Sequence, residues 1–149
     1  MTFRAALTNL VLLQKSLRIS EPRPLQMKNA YPYPPSSNVA LDMPSVMNTW
    51  TLVGIARHTT GGVLRHSYIV HSQVFCYDAD QDQAADVATA FLQAYIDALY
   101  TDTTLHGTVK QVDLRGGNPT LVSLEWAGKS YRGLQLDLDL FFDEAVTYA

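Results

Sequence analysis

Carboxylates, histidines and one thiol are the residues best placed to do chemistry in this chain. Asp78-x-Asp80-x-Asp82 has the spacing that opens a calcium-binding loop. Such a loop needs glycine at its sixth position for a sharp turn and a bidentate glutamate at its twelfth. Gln83 and Thr89 stand there instead, so these acids read as helix-capping residues drawn to the positive end of a helix. His58, His66, His71 and His106 lack metal-ligand spacing, and all read as surface or partly buried side chains. His66 and His71 lie five apart in a strand pattern, an odd offset that sets them on opposite faces. Cys76 closes a strand instead of opening a helix, so nothing local favours its thiolate and it reads as a small buried hydrophobe. Asp137 and Asp139 share one strand face, with Asp143 and Glu144 following. Paired carboxylates do acid–base work when burial or repulsion separates their pKa values, and an exposed strand face does neither. The pair reads as a solvated edge, or as a negative surface facing a channel or a partner. With no glycine-rich phosphate loop either, the chain is expected to be neither an enzyme nor a cofactor or metal binder.

The elements that must carry these residues follow from periodicity and punctuation. Phe3, Leu7, Leu10 and Leu13 or Leu17 recur at helical spacing, which predicts a helix over 3–19 stopped by Pro22 and Pro24. Residues 20–46 hold six of the seven prolines and include Tyr31-Pro32-Tyr33-Pro34-Pro35. Missing donors and restricted neighbours predict a long irregular loop there. Its tyrosines, Tyr31 and Tyr33, either reach a neighbouring subunit or pack on their own domain; a polyproline ligand ranks below both. Residues 47–58 and 63–77 alternate as strands around Gly61-Gly62, which predicts an antiparallel hairpin. In the first of these, Thr49, Thr51, Val53 and Ile55 fall on one face and Trp50 and Leu52 on the other.

Asp80 with Gln83 three residues on fits a capping box, opening a helix whose apolar face runs from Ala84 to Leu99. Strands follow over 107–114, 120–126 and 130–142, parted by Gly116-Gly117-Asn118-Pro119 and Ala127-Gly128-Lys129. Leu134, Leu136, Leu138, Leu140 and Phe142 fall on one face of the last strand, and Gln135, Asp137 and Asp139 on the other. The expectation is one α+β domain over 1–149. Its order is α-β-β-α-β-β-β, with two helices packed on one face of a mostly antiparallel sheet of about five strands.

Composition narrows the function classes. The chain is 47% hydrophobic and 17% charged, with a net charge of −3 and no cluster of Lys and Arg, which disfavours binding through nucleic-acid phosphates. A single cysteine excludes an internal disulfide. The apolar run Leu10–Leu13 is too short to span a membrane or serve as a signal-peptide core, so a soluble chain made in a reducing cytoplasm is expected.

The succession of motifs over 63–149 carries a resemblance. Arg65-His66-Ser67-Tyr68-Ile69-Val70 leads to Asp78, then a helix closes on Ala98-Leu99-Tyr100-Thr101-Asp102. Leu105-His106-Gly107-Thr108-Val109, Trp126-Ala127-Gly128-Lys129-Ser130-Tyr131-Arg132-Gly133 and a leucine-rich strand follow. This order resembles the tail-terminator (tail-completion) proteins of long-tailed bacteriophages, from which the chain departs in the length of segment 20–46. The resemblance implies a structural virion protein at the tail–neck junction, a ring of identical subunits, typically hexameric, that ends tail-tube growth. Its implied partners are itself, the tail tube protein and the head-completion or neck protein, with DNA only as passing cargo and no membrane. Another neck component, such as a head–tail adaptor, and a small ligand-binding α+β domain are the rival readings. On the ring reading, Tyr31, Tyr33, Asp137 and Asp139 are the expected subunit or lumen contacts.

Overall fold

A computed structural model describes residues 3–36, 41–57, 63–78, 84–114 and 120–145. The expected turns at Gly61-Gly62 and Gly116–Pro119, the capping box of Asp80 and Gln83, and His58 lie outside these residues. The fold is α+β, with two helices and a mostly antiparallel sheet. Helix α1 spans Phe3–Lys15 and α2 spans Ala84–Thr101. Among the described residues no helix is long and apolar enough to cross a membrane.

Helix α1 stops well before the prolines that the sequence pointed to. Ser16 Oγ donates to Leu13 O at 2.6 Å, and the N–H groups of Ser16 and Leu17 bond back to Leu13 and Gln14 in a tightened last turn. The chain is thereby freed to extend from Arg18. The segment after it, expected as an irregular loop, carries short strands that proline content does not suggest. Short strand β1 (Arg18–Ile19) precedes the first proline, and β2 (Leu25–Gln26) and β3 (Asn29–Tyr31) fit between Pro24 and Pro32. β1 and β2 pair antiparallel, and β3 runs parallel to the start of the next strand. Proline forbids a central strand, yet two or three residues between prolines can still form a ladder at an edge.

Three long strands make the body of the sheet: β4 (Ser45–Arg57), β5 (Val63–Asp78) and β8 (Lys129–Ala145). The main sheet has the order β3-β4-β5-β8-β6, where β6 is Gln111–Leu114 and β7 (Thr120–Trp126) also pairs with β8. β6 is shorter than the expected 107–114. Leu105, His106 and Gly107 take positive φ values of 48°, 56° and 80°, which a strand cannot accommodate. The turn between β7 and β8 is a two-residue loop, Ala127 and Gly128, both with positive φ, as a twisted hairpin requires.

Alternation decides which face is buried. Leu134, Leu136, Leu138 and Leu140 of β8 join Val70 and Val74 of β5 and Val46 of β4 on one face. Ala6, Leu7 and Leu10 of α1 and Val87, Ala88, Phe91, Tyr95 and Leu99 of α2 close over it. Each such large side chain contributes about 1.5–3 kcal/mol on removal from water. Two bulges interrupt the ladders. Val53 is extra in β4, so the alternation expected through Ile55 breaks there, and Cys76 is extra in β5 and turns into the core.

Candidate functional site

The sheet face away from the helices is built in two halves. One half is apolar: Met47, Phe75, Leu124 and Tyr131 form a second buried cluster, against which Tyr31, Leu41, Met43, Val122 and Trp126 pack. The proline-rich segment therefore wraps the β4 edge and straps this half of the outer face. Tyr31 packs on its own domain, and its carbonyl accepts from Asn48 Nδ2 at 2.8 Å. Tyr33 is 64% exposed.

The other half is open and polar. Cross-strand register aligns Thr49, His71 and Asp137 in one lateral row, and Thr51, Ile69, Asp139 and Asp113 in the next. His71 Nδ1 and Asp137 Oδ1 lie 2.7 Å apart with about a third of each side chain exposed, at 34% and 37%. A pair this wet fixes two rotamers on the sheet surface and is worth about 0–1 kcal/mol. Asp139 is half-buried beside exposed Asp113, whose carboxylate accepts from Gln111 Nε2 at 2.7 Å. Sequence spacing placed Asp137 and Asp139 on one face but missed His71 and Asp113. Both sit on other strands, and only the ladder register brings them alongside.

Other groups bear on chemistry. Asp102 Oδ1 accepts from the His106 backbone N–H at 2.9 Å, and its other oxygen lies 3.5 Å from His106 Nε2. This carboxylate pins the left-handed turn at Leu105–Gly107 beside a shallow groove lined by Leu12, Leu13, Ser16 and Thr101. Cys76 is buried, and burial pushes its thiol up to about 12 from an ordinary 9.0, so that it holds its proton at neutral pH. Among the described residues no three of His, Cys, Asp and Glu converge as metal ligands would.

The most ordered polar constellation lies inside the protein. Gln14, Asn48, Ser72 and Tyr95, one from each of α1, β4, β5 and α2, are all 0% exposed. Gln14 Nε2 lies 2.8 Å from Asn48 Oδ1, 3.1 Å from Ser72 Oγ and 2.6 Å from Tyr95 OH, sharing two hydrogens among three acceptors. Asn48 Nδ2 returns a bond of 2.8 Å to Gln14 Oε1, and Ser72 Oγ donates to Asn48 Oδ1 at 2.7 Å. Burial raises the Tyr95 hydroxyl to about 12, with the Ser72 and Gln14 contacts pulling it back slightly. A closed network of this kind has no open coordination and no access for a substrate; it locks elements together. One sequence signal could have found it: Gln14 follows Leu7 and Leu10 on the helical stripe, a polar residue where the core face continues.

No protein family and no curated protein matches this chain.

Proposed function

We propose that the protein is a structural virion component whose identical copies form a ring that ends a phage tail tube and presents a docking surface to the neck complex. One observation carries this reading beside the motif resemblance. The hairpin of β4 and β5 leaves Trp50, Leu52 and Val53 at 45%, 43% and 55% exposure within four residues of one strand. Apolar side chains exposed together on a long strand mark a surface meant for another protein. The polar half of the outer sheet face is then the surface turned to the lumen. Asp113, Asp137 and Asp139 give that face a carboxylate patch, with Arg65 and Lys110 beside Asp113, and the carboxylates repel passing DNA instead of retaining it.

Size-exclusion chromatography with light scattering, with and without tail-tube protein, tests the reading. A ring-sized mass, or co-elution with tube protein, is expected. A monomer that ignores the tube protein at every concentration would sink it. Electron microscopy of the intact virion neck separates a terminator, seated on the tube, from a head-completion protein, seated on the portal side.

A further inference from the structure

Among the described residues the sheet ends on two bare edges at opposite corners. On one side β3 covers β4 only at Ser45, Val46 and Met47. From Asn48 onward β4 pairs with β5 alone among the described residues. Thr49 to Gly54 are all exposed, and the bulge at Val53 ends the regular stretch. On the other side the β6 edge is already occupied, because Val112 N–H donates to Thr103 O at 2.9 Å. β7, beside the other half of β8, pairs with no further strand among the described residues.

Strands left at an edge are ordinarily blunted by charge, proline or brevity. Asn48-Thr49-Trp50-Thr51-Leu52 has no charge and no proline. We propose that this segment adds to β7 of a second copy of the chain, so that the sheet continues from subunit to subunit around the ring. The proposal rests on the ring reading above and names the surface that would close it.

Strand sense and position select β7 as the occupant. β4 is antiparallel to β5, β5 to β8 and β8 to β7, so β4 and β7 run in opposite directions. Rotation about a ring axis preserves that relation and gives an antiparallel ladder. The bare part of β4 lies level with Leu136–Leu140 of β8, whereas β7 lies level with Lys129–Gln135. Closing a sheet around an axis tilts its strands and staggers their register, which is the displacement that edges at opposite corners need. A β4–β4 contact would be self-complementary and stop at a dimer; a β4–β7 contact is heterologous, the kind that closes a ring when its rotation closes.

Oxidative cross-linking tests the pairing. Leu52 lies on the helix side of β4, and on β7 the exposed Ser123 and Glu125 share that side, opposite Arg132 and Ser130. Leu52→Cys combined with Ser123→Cys or with Glu125→Cys, the two allowing for register, is expected to give a ladder of covalent oligomers that neither single variant gives. Thr51→Lys, a charge on the same edge, is expected to lose the oligomer without shifting the thermal midpoint of the monomer. Covalent dimers from Leu52→Cys alone would overturn the proposal in favour of β4–β4 contact. A ring seen by light scattering with no ladder would overturn the pairing and leave the ring reading standing. Monomers throughout, with tail-tube protein present and no ladder, would overturn both.

Discussion

At the residue scale the tightest constraint is Gly133, where three strands meet. It lies opposite Phe75 of β5 and Val122 of β7, and a side chain there would run into the Val74 carbonyl and the Leu124 side chain. The residue is glycine because two ladders and a side chain crowd one position, a reason no local sequence pattern reveals. Gly133→Ala is expected to cost about 1–3 kcal/mol, as overpacking does. Urea unfolding measures it, and an unchanged midpoint would mean that β5 and β8 part easily. Asp137 and Asp139 were legible as a pair from their alternation with leucines. Their neighbours His71 and Asp113 were not, because cross-strand adjacency depends on register set by the whole ladder.

At the element scale the buried network decides how four elements dock. Hydrophobic packing alone tolerates small shifts of α1 along its groove; Gln14 does not, since its amide must meet Asn48, Ser72 and Tyr95 together. Gln14→Ala strands buried donors and acceptors on three other elements and is expected to cost about 3 kcal/mol. A double-mutant cycle with Tyr95→Phe should return a coupling of about 1–2 kcal/mol. Additive effects would show that the two side chains act separately. Asn48 also holds the Tyr31 carbonyl, so the same network ties the proline-rich strap to the helix layer. That strap was expected as an irregular loop over 20–46. Its short strands escaped notice because two- and three-residue ladders have too few positions to show alternation, and β3 finds its partner only in β4.

At the scale of the whole molecule, two buried protons contribute to alkaline stability. Cys76 and Tyr95 ionise ordinarily at 9.0 and 10.0, and burial raises both to about 12. The unfolded chain therefore releases these protons first. The stability they confer is intact below pH 9 and is lost as pH rises toward about 12. Urea midpoints are expected to fall between pH 9 and pH 12, and Tyr95→Phe with Cys76→Ala should flatten that fall. An identical slope in the double variant would assign it to other groups. On the ring reading, replacing Asp137 and Asp139 together by Lys is expected to lower infectious titre. The folded chain should meanwhile lose little stability, since the His71 pair is wet. Unchanged particle yield and infectivity would remove the two carboxylates from the DNA path.

The amino-acid sequence by itself determined the α+β class, both helices, the long hairpin strands and the alternating leucines of β8. Each of these is a local or periodic property: a helix stripe, a strand alternation or a glycine turn can be read in a window of residues. Only the tertiary structure decided where α1 stops, how the proline-rich segment straps the outer sheet face, and which polar residues meet inside the core. It also decided that β4 and β7 are left as bare edges among the described residues. Apart from the local bonds of Ser16 and Leu17 that end α1, those outcomes depend on pairing between separate stretches of the chain, where register and the satisfaction of buried backbone and amide groups overrule local preference.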